Sequence, residues 1–251
     1  NTKDANGSQE NKTDETETET ESESDLDSEG DAVYAYIDNF PVNIICLEDC
    51  HMTLDHYMIH NEIEELEWSA ILMQVILSLC LYQKTFMLTH NDLHTNNIMY
   101  INTDKQNIYY QYKHKYYKIP TFGKIWKIID FGRAIYRYKG KFICSDSFHP
   151  SEDAATQYNC EPYYVDKKPR LDPNMSFDLC RLGCSLYDYF LEDRSIANDI
   201  EKCDKLQKLM IDWCKDDKGR NILYKQNGEE RYPDFKLYKM IARTVHNLTP
   251  E

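Results

Sequence analysis

The sequence lacks a hydrophobic run long enough to cross a membrane. Its longest apolar stretch is residues 70–81 (AILMQVILSLCL), interrupted by Gln74, and a bilayer requires roughly 20 consecutive apolar residues. We therefore predict a buried helix at this position and no membrane partner. With 251 residues, of which 41% are hydrophobic, the chain has room for one or two domains of roughly 100–200 residues, each with a real core.

The sequence also lacks a recognisable cysteine framework. Its nine cysteines are scattered, without a CxxC pair or a Cys/His cluster at zinc-binding spacing. An odd number without such spacing argues against both a complete set of disulfides and a structural metal site. We therefore expect reduced thiols and an intracellular protein, cytoplasmic or nuclear. Neither a signal peptide nor an internal repeat is visible.

Residues 1–31 have almost no apolar side chains and carry twelve acidic residues against two lysines, a net charge of −10. Such a segment cannot bury enough surface to offset the entropy of ordering, so we predict that it is disordered. Of the total charge of −14, only −4 remains for residues 32–251. Because an acidic segment repels nucleic acid and anionic membranes, the sequence predicts no direct nucleic-acid partner.

Hydrophobic periodicity predicts an α+β domain over residues 32–251. Two apolar runs, residues 32–37 (AVYAYI) and 42–47 (VNIICL), flank the turn-like DNFP and predict a short β-hairpin. The Tyr- and Ile-rich stretch Ile108–Ile129, with a break at 120–123, predicts a second, extended hairpin. Four segments have apolar residues at helical spacing and are predicted as helices: Glu62–Leu88, Phe177–Leu191, Lys205–Trp213 and Phe235–Val245.

The most informative motifs lie between the first long helix and the helix that begins at Phe177. Residues 90–97 (HNDLHTNN) have the spacing H-x-D-L-x-x-x-N, and a D-F-G triplet begins at Asp130. Phosphoryl transfer needs one carboxylate at the acceptor hydroxyl and oxygen ligands for magnesium. Asp92 suits the first role, and Asn97 with Asp130 suits the second. The five-residue step from Asp92 to Asn97 suits a tight loop, because on a regular helix the two side chains would point apart.

Together with a third landmark, these motifs resemble those of the eukaryotic-type protein kinases, over roughly residues 32–247. Residues 176–183 (SFDLCRLG) are similar to the start of the kinase helix that carries D-x-W-S-x-G. The resemblance implies that Asp178 braces the backbone of the catalytic loop. We interpret His90 as structural support packed under that loop, because Asp92 already suits the role of base.

The resemblance also implies a nucleotide site and the cofactors ATP and Mg²⁺. The segment that contacts adenine, here called the hinge segment, would be Leu47, Glu48, Asp49 and Cys50. Met99 would lie beneath the base, with a position in the core as the alternative. The implied architecture is a protein-kinase-like fold with a partial N-lobe over residues 32–50 and a mainly helical C-lobe over residues 51–251.

Within the kinases, the sequence is most similar to the haspin-type Ser/Thr kinases. His94 stands where most Ser/Thr kinases have lysine, the link from Asn97 to Asp130 is unusually long, and no clean A-P-E motif follows. Gly132 is a departure, because haspins usually lack the glycine of D-F-G. The resemblance implies a protein substrate with a serine or threonine acceptor and leaves the oligomeric state open.

Two other functions remain open from the sequence. A small-molecule phosphotransferase of the choline or aminoglycoside kinase kind can share the H-x-D-L-H-x-x-N loop, although the helix of Asp178 and Gly132 argue against it. A non-catalytic pseudokinase scaffold is the second alternative, because no Gly-rich loop, V-A-I-K lysine or helix-C glutamate is identifiable. We expect these parts upstream of Ala32.

Residues 109–118 (YYQYKHKYYK) alternate aromatic and basic side chains. Such alternation occurs in surfaces that stack single-stranded nucleic acid. An amphipathic pair of strands produces the same pattern and is the interpretation that we favour.

Overall fold

The computed structural model describes residue 36 and residues 38–250, and the chain divides into two compact units, residues 1–46 and 47–251. The acidic segment 1–31 and most of the predicted strand at 32–37 lie outside the described residues. In the first unit, the turn predicted at DNFP is present at residues 38 and 39, where Asn39 has a φ of 57°. Asparagine tolerates this left-handed conformation.

The predicted second strand of the first hairpin is wrong. Residues 42–47 are irregular, and Val42, Ile44 and Leu47 are 70%, 83% and 82% exposed. A strand needs a neighbour to satisfy its backbone hydrogen-bonding groups. No described residue pairs with this segment, so its local β-propensity is not realised.

The second unit combines α-helices with short antiparallel sheets, so the predicted mixed α+β class is confirmed. The helices are α1 (Leu54–His60), α2 (Glu65–Phe86), α3 (Phe177–Phe190), α4 (Lys205–Trp213) and α5 (Lys236–Thr244). The last four agree with the predicted helices to within three residues at each end. α1 was not predicted because its seven residues are too few for a clear periodicity. It is capped by Thr53, whose side chain accepts the His56 amide at 3.2 Å.

Much of the core is built on α2. Trp68, Ile71, Val75 and Leu79 are all at most 2% exposed, which confirms the predicted buried helix. By length and composition alone, α2 is the one described helix that is able to cross a membrane, and half of its most apolar window is buried inside the protein. Core helices of soluble proteins pass the same test, so this property does not assign a membrane location.

The described strands form three small antiparallel sheets. The first sheet has the order β1 (Met52–Thr53), β2 (Ile98–Asn102) and β5 (Lys124–Ile128), the second joins β3 (Asn107–Tyr112) to β4 (Lys115–Pro120), and the third joins β6 (Ile135–Tyr138) to β7 (Lys141–Cys144). We call β3 and β4, with their turn, the ribbon.

The extended hairpin predicted over Ile108–Ile129 is only partly correct, because β5 pairs with β2 and not with the ribbon. The ribbon itself is a hairpin with a turn that the sequence did not reveal. Residues 120–123 form the predicted break, which separates β4 from β5. The turn within the ribbon is formed by Lys113 and His114, with φ of 46° and 63°. Hairpin turns of this conformation favour Asn-Gly, so two basic residues gave no turn signal.

The ladder between β2 and β5 positions the candidate site. Ile98 pairs with Ile128, and one residue beyond, the Ile129 amide donates to the Asn97 carbonyl at 3.0 Å. At the other end, the Thr103 amide donates to the Gly123 carbonyl at 2.9 Å. The ladder therefore brings Asn97 beside the residue that precedes Asp130, while the ribbon projects from its opposite end.

Helices α3 and α4 approach closely at Gly183. A Cβ atom there would lie 2.7 Å from the Cβ of Trp213 and 3.3 Å from the Sγ of Cys214. In a helix, alanine is normally about 1 kcal/mol more favourable than glycine. Here overpacking, which costs about 1–3 kcal/mol, should outweigh this gain because the Trp213 Cβ cannot move without its backbone.

We therefore expect Gly183→Ala to lower the free energy of unfolding by about 1–2 kcal/mol, measured by urea denaturation. The control is Ser185→Ala, at a half-buried position of the same helix, which we expect to change stability by no more than about 0.5 kcal/mol. A stabilised Gly183→Ala protein would contradict the close helix contact.

The loop after α4 is closed by a nearly buried carboxylate. Asp216 accepts the amides of Lys218 at 3.0 Å and Arg220 at 2.8 Å, and the Arg220 Nε at 2.8 Å. Burial acts to raise the pKa of Asp216, but the hydrogen bonds from Arg220 and Lys218 together lower it below its ordinary value. A depressed folded pKa means that this stabilisation is present above the ordinary Asp pKa and is lost as the pH falls through the folded value.

We expect Asp216→Asn to cost about 2 kcal/mol of unfolding free energy at neutral pH. The difference from the unchanged protein should begin to shrink below the ordinary Asp pKa of about 4 and should be lost as the pH falls through the lower pKa of folded Asp216. Urea denaturation at several pH values tests this. Asp212→Asn is the control, since that carboxylate is 57% exposed and pairs only with Lys215 among the described residues. A difference that does not depend on pH would contradict the role of the charge.

Candidate active site

The backbone of the loop that carries Asp92 is hydrogen-bonded to Asp178, which lies in the first turn of α3. Asp178 is fully buried, and its two carboxylate oxygens accept the amides of His90 and Asn91, each at 2.8 Å. Burial raises the pKa of Asp178, while His90 and the two amide bonds act in the opposite direction. Asp178 therefore makes the backbone contacts that the predicted bracing role requires.

His90 connects this loop to the segment before Asp130. Its buried ring places Nε2 2.8 Å from the Ile129 carbonyl and accepts the Asp92 amide on Nδ1 at 3.3 Å. The ring also lies against Phe131, with 5.1 Å between ring centroids. Both nitrogens are thus engaged with the backbone, as expected for a structural histidine and not for a base.

Asn91 is a further anchor of the loop that the motif analysis missed. It is fully buried, has a φ of 65°, and donates to the Arg133 carbonyl at 2.9 Å. Its Oδ1 accepts the hydroxyl of Tyr158 at 2.7 Å. The motif treats this position as variable, so only its three-dimensional contacts reveal the role.

The Asp92 carboxylate is partly accessible and surrounded by hydrogen-bond donors and cations. Tyr238 of α5 donates its hydroxyl to Oδ1 at 2.6 Å. Arg133 Nη1 lies 3.6 Å from Oδ2, and His94 Nε2 lies 3.8 Å from Oδ1. The Asp92 side chain is 20% exposed, so a ligand from solvent has access to its carboxylate. Sequence reasoning missed Tyr238 because nothing local marks a contact between residues 146 positions apart.

Asn97 and Asp130 each retain an unused oxygen. Asn97 uses its Nδ2 to donate to the Asp92 carbonyl at 2.9 Å, and its Oδ1 has no donor among the described residues. Asp130 is exposed, has a φ of 57°, and accepts the Gly132 amide on Oδ1 at 3.1 Å. A left-handed aspartate is a strained conformation of the kind that clusters at functional sites.

The carboxylates of Asp92 and Asp130 both influence the pKa of His94. Burial and then Arg181 lower the pKa of His94, whereas Asp92 and Asp130 both act to raise it. The two carboxylates therefore lie within electrostatic range of one ring. Asn97 is also next to this ring, with its Nδ2 3.3 Å from His94 Nε2. Asp92 and Asn97 thus lie next to His94, and the hydrogen bond from the Ile129 amide to the Asn97 carbonyl places Asp130 one residue beyond Asn97's partner.

The free oxygens of Asn97 and Asp130 fit a magnesium ion by chemistry. An amide oxygen and a carboxylate are hard ligands of the kind that Mg²⁺ prefers, and Mg²⁺ usually takes its remaining ligands from water and phosphates. Within the described part of the chain, no group of three or more His, Cys, Asp or Glu side chains forms a metal site. A metal held by protein ligands alone is therefore not supported by these residues.

The predicted adenine-contacting residues meet at one end of the first sheet. The hinge segment, Leu47 to Cys50, leads into β1, and Glu48 forms an ion pair with Lys127 of β5. Lys127 and Thr53 lie opposite Met99 on its two neighbouring strands. Met99 is partly exposed and does not belong to the buried core, so the alternative role as a core residue is not supported.

The hinge segment has the free backbone groups that an adenine ring would need. Among the described residues, no backbone hydrogen bond involves Leu47 to Cys50, whereas the next amide, of His51, donates to the Tyr100 carbonyl at 2.8 Å. Leu47, Glu48 and Asp49 are exposed to solvent, so these backbone groups are accessible to a ligand. The strand pairing thus begins immediately after the segment that remains available for a ligand.

The chain matches no protein-family model and no curated protein. Any assignment of function must therefore come from the residues and contacts described above.

Proposed function

We propose that this protein is an ATP- and Mg²⁺-dependent Ser/Thr protein kinase with a haspin-like kinase fold. The observation that carries the proposal is the geometry of the loop, in which Asp92 and Asn97 lie beside His94 and the backbone bonds to buried Asp178. Asn97 also pairs with the residue that precedes Asp130. Phosphoryl transfer requires mainly that groups be positioned and charge be neutralised. A rigid loop with two carboxylates and one amide meets that requirement.

Each residue has a distinct role in this proposal. Asp92 orients the acceptor hydroxyl and accepts its proton, and the hydrogen bond from Tyr238 fixes the direction of the carboxylate. Asn97 and Asp130 would hold Mg²⁺, which when bound neutralises charge on the phosphates. The hinge segment would bind adenine through its backbone, with Met99 on one side of the ring.

The contact between Asp178 and the loop favours a protein kinase over a small-molecule phosphotransferase. It reproduces the role that the D-x-W-S-x-G landmark has in protein kinases, where the helix supports the loop from within the core. The proposal depends on a nucleotide-clamping lobe, whose Gly-rich loop and lysine are not recognisable in the sequence.

Incubation with radiolabelled ATP tests this function. We expect a protein that includes the clamping lobe to label serine or threonine of general protein substrates and to leave amino alcohols and sugars unlabelled. Label in the small molecules alone would favour the phosphotransferase. In parallel, Mg-ATP at a hundred times its Kd should stabilise the protein by about 2.7 kcal/mol. Absence of both label and stabilisation would favour the scaffold.

A further inference from the structure

Three cysteines meet where α3 packs against α4. Cys180 and Cys184 lie one turn apart on α3, and Cys214 directly follows α4. Cys180 and Cys214 are fully buried, whereas Cys184 is half-buried. The Cys214 thiol donates toward the Sγ atom of Cys184, with 4.0 Å between the two sulfurs. All three cysteines are free thiols, so two reduced sulfurs that are 30 positions apart in the sequence already lie in contact.

Helix geometry decides which pair of these cysteines is able to form a bond. A disulfide needs its two Cβ atoms about 3.5–4.5 Å apart, whereas residues four apart on a helix, such as Cys180 and Cys184, hold them about 5–6 Å apart. Cys214 has no such restriction relative to Cys184. The chain approaches closely here, since a Cβ atom on neighbouring Gly183 would lie 3.3 Å from the Cys214 Sγ. Cys214 is therefore the bonding partner that the geometry allows for Cys184.

Arg181 places a positive charge beside the Cys184 sulfur. It precedes Cys184 by three residues on α3, and its Nε atom is buried without a hydrogen-bond partner among the described residues. Burial acts to raise the pKa of Cys184, but the hydrogen bonds from Cys180 and Cys214 and the charge of Arg181 together lower it well below its ordinary value. Burial and the hydrogen bond to Cys184 raise the pKa of Cys214. Because the thiolate is the nucleophile, Cys184 is the cysteine of this cluster that reacts first.

Simple packing and metal binding each explain less of this cluster. Buried cysteines often serve as small apolar side chains, but an apolar role leaves the Arg181 Nε next to them unsatisfied, which costs free energy. A Cys184 thiolate would give this cation an anionic neighbour. The three sulfurs do not form a metal site either, because no group of three or more His, Cys, Asp or Glu side chains among the described residues is able to hold an ion. The cluster therefore suits chemistry between two thiols.

We propose that Cys184 and Cys214 form a reversible disulfide when the protein meets hydrogen peroxide. The Cys184 thiolate attacks one peroxide oxygen, the O–O bond breaks, and Cys184 becomes a sulfenic acid as hydroxide leaves. The Cys214 sulfur then displaces the sulfenic hydroxyl group, which leaves as water, and the S–S bond forms. The two thiols together lose two electrons and two protons, and the peroxide is reduced to two water molecules. The bond would tie the end of α4 to α3, the helix that carries Asp178, and its formation is independent of the proposed kinase activity.

Peptide mapping of the full chain tests the proposal. The reduced protein is treated with hydrogen peroxide, its remaining thiols are alkylated, and its peptides are analysed by mass spectrometry without reduction. We expect the peptides of Cys184 and Cys214 to be linked, with a mass lower by two hydrogen atoms, and dithiothreitol to release them. The linked protein should melt about 5–10 °C higher, because the bond joins residues 30 positions apart. A bond from Cys184 to any other cysteine, or oxidation that stops at a sulfinic acid, would overturn the proposal, as would an unchanged protein.

Three variants separate the cluster from the other thiols, with circular dichroism to verify each fold. Cys214→Ala should abolish the link and leave oxidised Cys184 unpaired. The matched control is Cys203→Ala, since Cys203 is also buried but its thiol donates to the carbonyls of Ile196 and Asp199; we expect its rate of linking to stay within about twofold. Arg181→Gln should slow linking about threefold or more, because it removes the charge beside the thiolate. Loss of the link in Cys203→Ala, or an undiminished rate in Arg181→Gln, would overturn the proposal.

Discussion

Replacing Asp92 by asparagine is expected to lower the rate of phosphoryl transfer about a thousandfold, within the range known for general bases. The amide cannot take a proton from the acceptor hydroxyl. Its oxygen can still accept the hydrogen bond from Tyr238, which Asp92 receives at 2.6 Å. The thermal midpoint should therefore shift by no more than about 2–4 °C, corresponding to about 1 kcal/mol. Initial rates at saturating Mg-ATP and a melting curve measure the two effects.

The matched control is Asp153→Asn. Asp153 binds the same arginine, Arg133, at 2.9 Å, but its side chain is 72% exposed, and we expect less than about a twofold loss of rate. Asp130→Asn should lose as much activity as Asp92→Asn, with partial recovery at higher Mg²⁺ concentration because it removes a metal ligand. Full turnover of Asp92→Asn would refute its role as base.

Asp178→Asn is expected to lower the free energy of unfolding by about 3 kcal/mol. The carboxylate accepts two buried amides at 2.8 Å, and the NH₂ group of asparagine would face one of these donors. A buried donor without an acceptor costs about 1–3 kcal/mol, and the charge-assisted bond to the other oxygen is lost as well. Urea denaturation with an unchanged m-value measures the loss.

The control for this substitution is Asp172→Asn, an exposed carboxylate paired with Arg170. We expect it to change stability by less than about 0.5 kcal/mol. If Asp178→Asn costs less than about 1 kcal/mol, the side-chain bonds of Asn91 would be the main support of the loop.

The elements that were predicted well are those with a strong local pattern. α4 begins and ends at the predicted residues because its capping box, formed by Asp204 and Gln207, marks the start of an amphipathic run. Residues 42–47 show the limit of local propensity, since a strand depends on a partner that short-range sequence does not specify. The turn at Lys113 and His114 was missed because its conformation contradicts the preference of both residues.

The residues of the candidate site also fall into two groups, those that short motifs predicted and those that only the tertiary structure reveals. Asp92, Asn97 and Asp130 were predicted from short motifs, and the pairing of β2 with β5 then brings Asn97 beside the residue that precedes Asp130. The groups that surround Asp92 come from distant segments: Tyr238 belongs to α5 and Arg133 follows the D-F-G triplet. Their positions depend on how helices pack, which a pattern of residue types does not encode.

The hydrogen bond between Thr103 and Gly123 separates the ribbon from the ladder below it. Insertions or deletions between these two residues would leave the β2–β5 register intact. One residue inserted within β2 or β5 would instead turn every following side chain to the opposite face. The ribbon can thus change in length or charge without altering the β2–β5 ladder that positions the loop of Asp92.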